Sequence, residues 1–111
     1  MAFYHFSQNN SGGEFLINDK VTINVVIEAN NANHANELAN VVGIYFDGCN
    51  KGFDCSCCGD RWYRVSEYDA TEFPAVYGEP VETADHWAVN SGDVAAYVYY
   101  LDRPKMTVYK K

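Results

Sequence analysis

The stretch that decides the fold reads VTINVVIEANNANHANELANVVG and runs from Val21 to Gly43. Its first nine residues alternate, so that one face is apolar while Thr22, Asn24 and Glu28 lie on the other. Such alternation predicts a β-strand with one buried face, and it is the clearest strand pattern in the chain. The apolar positions of that face are Val21, Ile23, Val25, Ile27 and Ala29.

A single helix is predicted directly after this strand. Asn30 and Asn31 supply side-chain oxygens for the free amides of a helix start. Gly43 is a natural stop because it adopts the left-handed conformation without steric cost. We therefore predict a helix over about residues 32–42, with small side chains that allow close approach to a sheet. The apolar positions at helical spacing are Ala32, Ala35, Leu38, Ala39 and Val42.

Further strands are predicted on both sides of this unit. Val94 to Leu101 is apolar on both faces, which predicts a central strand covered on both sides. The region of Pro74 and Pro80 predicts irregular chain with at most short edge pairings. The other predicted strands are the alternating segment Phe3–Phe6, then Glu14–Ile17, Ile44–Phe46, Arg61–Val65 and Met106–Tyr109.

These elements predict an α+β fold. Strands occur before and after one helix, and the turns are short enough for antiparallel neighbours. We expect an antiparallel β-sheet with the helix packed on one face. A chain of 111 residues with 48% hydrophobic residues favours a single compact domain over residues 1–111.

Charge and hydropathy exclude several classes of protein. Eight basic against fifteen acidic residues give a net charge of −7, which argues against general nucleic-acid binding. The longest strongly apolar stretch, Val94 to Leu101, is too short to span a bilayer. The N-terminus lacks a basic segment followed by an apolar one, so we expect no secretion signal and a cytoplasmic protein.

Four cysteines fall within ten residues, at Cys49, Cys55, Cys57 and Cys58. Cys55 and Cys58 have the C-x-x-C-G spacing at which two thiolates face one metal ion. The metal ligands we predict are Cys49, Cys55 and Cys58, with a structural zinc as the expected cofactor, because adjacent cysteines seldom both bind one ion. Reduced thiols and a disulfide are alternatives that the spacing leaves open.

Two arginines and two large aromatic residues follow the cysteines. Arg61, Trp62, Tyr63 and Arg64 are the materials of a pocket that stacks a planar base and grips a phosphate. The alternative places Trp62 in the core and pairs the arginines with carboxylates. The side-chain amides of the early loop could close over the same ligand, and the loop residues we include are Gln8, Asn9 and Asn10.

No enzyme signature is present in the sequence. It contains no glycine-rich phosphate loop, no G-x-S-x-G elbow and no H-E-x-x-H helix. His5, His34 and His86 each have a structural interpretation that is stronger than a role as general base. We expect a non-catalytic protein, and a hydrolase for small phosphorylated compounds stays open as an alternative.

Three motifs carry a resemblance to a known family. The segments YHFSQNNSGG (residues 4–13), GIYFDG (residues 43–48) and DCSCCGDRWY (residues 54–63) resemble a small uncharacterised protein family encoded by tailed bacteriophages. The resemblance implies a phage origin and the cytoplasm of an infected bacterial host. It implies no chemistry, because that family has no assigned activity.

Three functional hypotheses follow. The first is a phage accessory protein that counters a host process, such as antiviral defence, by binding a nucleotide-like signal or a host protein. The second is a small zinc-stabilised protein-interaction module. The third is an acidic mimic of DNA formed by the chain from Val65 to Asp102, where Asp and Glu are abundant and basic residues are few. Unpaired strand edges and abundant tyrosine make a homodimer a reasonable expectation.

Overall fold

A four-stranded sheet lies at the centre of the protein. The computed structural model describes residues 1–9, 14–86 and 88–111. The elements within these residues, in chain order, are β1 (Ala2–Ser7), β2 (Asn24–Ala29), α1 (Ala32–Val41), α2 (Gly48–Lys51), a 3-10 turn (Glu67–Asp69), β3 (Ala75–Val76), β4 (Glu79–Pro80), β5 (Val94–Tyr99) and β6 (Met106–Tyr109). The sheet order is β1-β2-β5-β6, and β3 pairs with β4 in a separate hairpin.

The central pair of strands is parallel. β1 and β2 run antiparallel, as do β5 and β6, but β2 and β5 are parallel with Val26 opposite Val98. The prediction of a purely antiparallel sheet is therefore wrong, although the mixed α and β content is confirmed. The physical reason is the long excursion of residues 30–93 between the two strands, because a parallel pair needs a crossover connection.

The predicted helix is confirmed as α1. The Asn31 side chain accepts a hydrogen bond from the backbone nitrogen of His34 at 2.8 Å, as expected of an N-cap. The chain turns beyond the helix at Gly43, whose φ of +104° lies in the left-handed region that favours glycine. No helix among the described residues is long and apolar enough to cross a membrane.

Hydrophobic side chains cover both faces of the sheet. Ala32, Ala35 and Ala39 of α1 belong to one buried cluster with side chains of β1 and β2, among them Tyr4 and Ile27. On the other face, a second cluster brings together side chains from the sheet and from the hairpin region. Its buried members are Val26, Val76, Val81, Ala96, Val98 and Val108. The sheet order confirms that β5 is a central strand, with β2 and β6 as its neighbours.

Three predicted strands do not form, at residues 14–17, 44–46 and 61–65. Their backbone groups bond instead to side chains or to the helix end. Leu16 donates to Gln8 Oε1, Val65 to Asn36 Oδ1 at 2.9 Å, and Ile44 to the last turn of α1 at 3.0 Å. Because these groups already have partners, the segments do not need a place in the sheet. The two-residue pairing of β3 with β4 confirms the short edge pairings predicted near the prolines.

Candidate functional site

Arg61 is held inside the loop that follows the cysteines. Its side chain is only 13% exposed. Nη1 donates to Gln8 Oε1 and to the Glu14 carbonyl oxygen, both at 2.7 Å, and Nε donates to the Tyr45 hydroxyl at 3.1 Å. These contacts join the early loop to the cysteine-bearing loop of residues 49–61, which we call the thiol loop. The guanidinium that the sequence assigned to a ligand therefore stabilises the fold.

The carboxylate of Asp54 anchors the same loop. It is fully buried and accepts hydrogen bonds from the Arg61 backbone nitrogen at 2.8 Å and from the Tyr45 hydroxyl at 2.7 Å. A Cβ atom on Gly48 would lie 1.9 Å from Asp54 Oδ2, so only glycine permits this close approach. Burial and the bond to Asp54 raise the pKa of Tyr45, which keeps its hydroxyl protonated as a donor.

Trp62 and Arg64 do not line an open pocket with Arg61. Trp62 is 1% exposed and belongs to the cluster beneath α1, so the prediction that its ring stacks on a ligand is wrong. The cause is hydrophobic burial of a large ring, which shares its cluster with Tyr4, Phe6 and Phe46. Arg64 is exposed, pairs with Asp47 at 2.9 Å, and lies over the Phe46 ring at 4.9 Å. The pairing lowers the pKa of Asp47.

A cleft of about 550 Å³ brings together three of the predicted ligand residues. Gln8, Asn9 and Tyr63 all line it, whereas Arg61, Trp62 and Arg64 do not. Asn10, the remaining predicted residue, lies outside the described residues. The sequence-based ligand site is thus divided: one part lines a cleft and the other supports it or lies elsewhere.

The cleft lies where β1 ends and β2 begins. Its walls come from residues 7–9, from Phe15, Ile23 and Asn24, from the turn between β3 and β4, and from residues around His86. Asp85 lines the cleft, and the described lining residues include no lysine or arginine. The cleft therefore combines aromatic and apolar walls with amide, imidazole and carboxylate groups, and its described lining has no ammonium or guanidinium group.

A hydrogen-bonded chain fixes the polar floor of the cleft. The backbone nitrogen of Tyr77 donates to His5 Nδ1 at 3.4 Å, so His5 Nε2 carries the proton and donates to Asn24 Oδ1 at 2.8 Å. Burial lowers the pKa of His5, in agreement with this neutral tautomer. The amide of Asn24 consequently presents Nδ2, whose two donors find no acceptor within the described chain.

His86 is a buried histidine that lines the cleft. Its ring is 5% exposed, and Nε2 lies 3.0 Å from the Val81 carbonyl oxygen, to which it donates. The opposite nitrogen, Nδ1, is buried without a partner in the part of the chain that the structure describes. The ring is thus oriented by one bond and has a buried nitrogen that no described group contacts by a hydrogen bond.

Three thiols meet on the loop that precedes Arg61. The sulfur atoms of Cys55, Cys57 and Cys58 all lie within 4.8 Å of one another, and such a group could hold a metal ion. The Cys55 and Cys57 sulfurs are 2.8 Å apart, and those of Cys57 and Cys58 are 3.9 Å apart. Cys57, which the spacing argument set aside, is therefore part of the cluster.

Cys49 lies outside this three-thiol cluster. Its sulfur is 3.5 Å from the Cys55 carbonyl oxygen, and its backbone nitrogen donates to Asp60 at 2.9 Å. Burial and the neighbouring Asp60 raise the pKa of Cys49 to about 11. Hydrogen bonds from Cys57 and then Cys58 lower the pKa of Cys55 to about 7, while that of Cys57 rises to about 11 beside the Cys55 sulfur.

Asn9 connects the cleft with the three-thiol cluster. It lines the cleft, and its Nδ2 donates to the carbonyl oxygens of Cys58 at 2.9 Å and Asp60 at 3.2 Å. Its backbone nitrogen also donates to the Arg61 carbonyl oxygen at 2.8 Å. The end of β1 and the thiol loop therefore form one connected unit.

Comparison with known proteins identifies the family of this unit. Residues 1–110 match the family described as domain of unknown function DUF7296. The chain belongs to this family. The match spans both the cleft and the three-thiol cluster, and it confirms the expected membership in a small uncharacterised family. No curated protein and no solved structure matches the DUF7296 chain.

Sequence reasoning missed several residues of the cleft, chiefly Asn24, Tyr77 and His86. Tyr77 and Gly78 occupy a two-residue turn between very short strands, and that spacing was a readable sign of a hairpin. Asn24 belongs to an alternating strand whose polar face was expected to meet solvent, yet it is 5% exposed. For His86 the sequence offers no comparable sign, because its place depends on the packing of a loop.

Proposed function

We propose that this DUF7296 protein is a non-catalytic binding protein whose cleft receives a nucleoside-like small molecule. The cleft between the end of β1 and the β3–β4 turn carries the proposal. Its volume of about 550 Å³ is that of an ordinary small-molecule site, for which about 300–1,000 Å³ is typical. Apolar and aromatic walls with a few oriented polar groups are also typical of such sites.

Aromatic rings at the cleft support a planar ligand. Tyr63 and Tyr77 are 58% and 70% exposed, and both line the cleft together with Phe15. Flat rings of this kind stack well on planar heterocycles. The Nδ2 donors of Asn24 would meet an acceptor at the ring edge of such a ligand, since Oδ1 is already engaged by His5.

The backbone of Tyr77 gives independent support. Its φ of +52° lies in the left-handed region, which costs a residue with a side chain roughly 1–2 kcal/mol. Gly78 follows with φ of +82°, and turns with two left-handed central residues favour Asn at the first position. A bulky tyrosine at such a position beside a cleft is consistent with direct contact to a ligand.

Charge favours the ring rather than the phosphate of a nucleotide. The described lining contains Asp85 and no lysine or arginine, and the chain carries a net charge of −7. A phosphate placed in the cleft would therefore meet repulsion without a compensating cation. We infer that a base-like ring enters the cleft, while any phosphate of the ligand stays outside it.

The biological setting that we propose is the one implied by the resemblance to tailed-phage proteins. An accessory protein in the cytoplasm of an infected bacterium could counter host defence by sequestering a nucleotide-derived signal. Sequestration requires affinity and abundance, and it needs no acid or base. A host protein that inserts a planar side chain into the same cleft is the alternative partner.

Isothermal titration calorimetry tests the proposal with a panel of nucleosides and of linear and cyclic nucleotides. The test variant is Tyr63→Ala, and the matched control is Tyr68→Ala, because Tyr68 is 99% exposed and does not line the cleft. Base–aromatic stacking contributes about 1–3 kcal/mol, so Tyr63→Ala should weaken binding by at least about fivefold and the control should not.

Two results would contradict this assignment. Equal affinity in both variants would place the ligand elsewhere on the protein. Failure of every compound, together with a host protein captured by the wild type and not by Tyr63→Ala, would replace the small molecule with a protein partner.

A zinc-stabilised interaction module is the second candidate, and the three-thiol cluster is the observation that favours it. Metal bound by the loop would contribute its binding free energy to folding. Chelation under reducing conditions should then lower the thermal unfolding midpoint of protein loaded with zinc. An unchanged midpoint would exclude a structural role for the ion.

A further inference from the structure

The three-thiol cluster lies on a tight turn whose backbone is fixed at both ends. The backbone nitrogen of Cys58 donates to the Cys55 carbonyl oxygen at 3.1 Å, which closes the turn. The Cys58 carbonyl oxygen accepts the bond from Asn9, which attaches the turn to the end of β1. The three sulfurs are therefore held close together before any ligand binds, and this lowers the entropic cost of binding a ligand.

The cluster is also accessible from solvent. Cys57 and Cys58 are exposed and Cys55 is half-buried. A metal held here would have protein sulfur on one side and an open coordination position on the other. Structural zinc sites usually take four protein ligands, so an open position sets this arrangement apart from a closed structural site.

We propose that Cys55, Cys57 and Cys58 bind one thiophilic d10 cation, of the Zn(II) or Cu(I) class, through three sulfur ligands, and that Cys49 is not a ligand. The proposal deepens the second candidate function and rests on it only for the biological use of the ion. Binding replaces three S–H bonds with three metal–sulfur bonds and releases three protons to water. The oxidation state of the metal does not change.

The sulfur geometry supports this ligand set. Two sulfurs bound tetrahedrally at about 2.3 Å from one zinc ion lie about 3.8 Å apart, and the Cys57 and Cys58 sulfurs are already 3.9 Å apart. The Cys55 and Cys57 sulfurs, at 2.8 Å, need to separate by about 1 Å, a change that side-chain rotation can supply. Thiolate sulfur is the donor that Cu(I) and Zn(II) select.

Cys49 has a different environment. Its sulfur faces the Cys55 carbonyl oxygen, and it is not part of the group of thiols that lie within 4.8 Å of one another. With Zn(II), the fourth position would be filled by water or by a group from another molecule. With Cu(I), three thiolates complete the coordination.

Native mass spectrometry of the full chain tests the ligand set. Metal-free, reduced protein is titrated separately with Zn(II) and with Cu(I) kept reduced by ascorbate. We expect one ion per chain with at least one of the two metals. Cys57→Ser should weaken that binding by at least tenfold, and Cys49→Ser, the matched control, should leave it within twofold of wild type. Because Cys57 is exposed, its substitution should not prevent folding, and circular dichroism of each variant verifies this.

Several results would overturn the inference: no binding of either ion by the wild type, retained binding in Cys57→Ser, or loss of binding in Cys49→Ser. The last two would restore the ligand set expected from C-x-x-C spacing. The second candidate function fails separately, if one ion binds to the stated cysteines but its removal leaves the unfolding midpoint unchanged.

Discussion

Arg61 lies beside the fully buried carboxylate of Asp54, with Nε 3.7 Å from Oδ1. The backbone nitrogen of Arg61 donates to Oδ2 of the same carboxylate at 2.8 Å, so its side chain and main chain converge on one group. This pair fixes the course of the chain between residues 54 and 61, which contains the three-thiol cluster. The loop is therefore held by internal polar contacts rather than by a place in the sheet.

Removal of the Asp54 carboxylate should strongly destabilise the protein. The carboxylate is the acceptor for two donors, the Arg61 backbone nitrogen and the Tyr45 hydroxyl, and leaving both unsatisfied in the interior typically costs about 2–6 kcal/mol in all. We expect Asp54→Ala to lower the free energy of unfolding by that amount in urea denaturation. Asp102→Ala is the matched control, because the Asp102 side chain is 67% exposed beside Arg103 and its loss should change stability little. Equal effects in the two variants would contradict the role assigned to Asp54.

The connection made by Asn9 gives a second prediction. Asn9→Ala removes the hydrogen bonds to the Cys58 and Asp60 carbonyl oxygens, which should cost about 1–2 kcal/mol in all. Hydrogen exchange should accelerate at the amides of residues 58–61. Asn40→Ala, on the exposed side of α1, is the control and should leave stability equal or slightly higher, because Ala favours helix. Unchanged hydrogen exchange at residues 58–61 in Asn9→Ala would show that Asn9 does not stabilise the thiol loop.

Tyr77 should affect binding more than stability. Tyr77→Asn relieves the cost of a left-handed bulky residue and loses the edge contact with the His5 ring, whose centroid lies 4.8 Å away. Each effect amounts to roughly 1 kcal/mol, so the free energy of unfolding should stay within about 1 kcal/mol of the wild-type value. Affinity for the ligand identified by calorimetry should fall. A stable variant with wild-type affinity would show that Tyr77 does not contact the ligand.

Mild acid should destabilise the fold through His5. Burial lowers the pKa of His5 below 6.5, its usual value, and nearby His86 acts in the same direction, whereas the bond to Asn24 and the charge of Asp69 oppose the shift. Since the folded state holds the proton less tightly than the unfolded state, the contribution of neutral His5 is fully present above pH 6.5. It is lost as the pH falls below 6.5 through the folded-state pKa.

Urea unfolding from pH 8 down to pH 5 tests this dependence. The wild type should lose stability below pH 6.5, and His5→Gln should lose less over the same interval because glutamine does not titrate. His34→Gln is the control, since His34 lies on α1, away from the cleft lining. Identical pH profiles for the wild type and His5→Gln would show that another group governs the acid sensitivity.

Local patterns in the sequence predicted the regular elements well. The helix, the central strand near Val94 and the terminal strand Met106–Tyr109 all follow from periodicity and turn residues, because each buries an apolar face that short-range order determines. The parallel pairing of β2 with β5 was not predictable in this way. It depends on how the long excursion between them packs, which no local pattern records.

The site was only partly predictable for the same reason. Arg61 and Trp62 have the chemistry of a nucleotide pocket, but their orientation is set by Asp54 and by the cluster beneath α1. Tyr63 lines the cleft. The sequence named it as a ligand residue, but it did not show that Tyr63 would face the cleft while its neighbours Trp62 and Arg64 would not. Cys57 joins the thiol group because a tight turn brings adjacent cysteines together, a geometry that C-x-x-C spacing does not reveal.

Native mass spectrometry of the protein, expressed in bacteria and purified under gentle conditions, is the most direct test of a nucleoside-like ligand in the cleft. We expect the wild type and Tyr68→Ala to carry the additional mass of a nucleoside-type compound, and Tyr63→Ala to lack it. If all three samples show only the mass of the chain, with or without a bound metal ion, even after incubation with a concentrated small-molecule extract of bacterial cells, the cleft does not hold such a ligand.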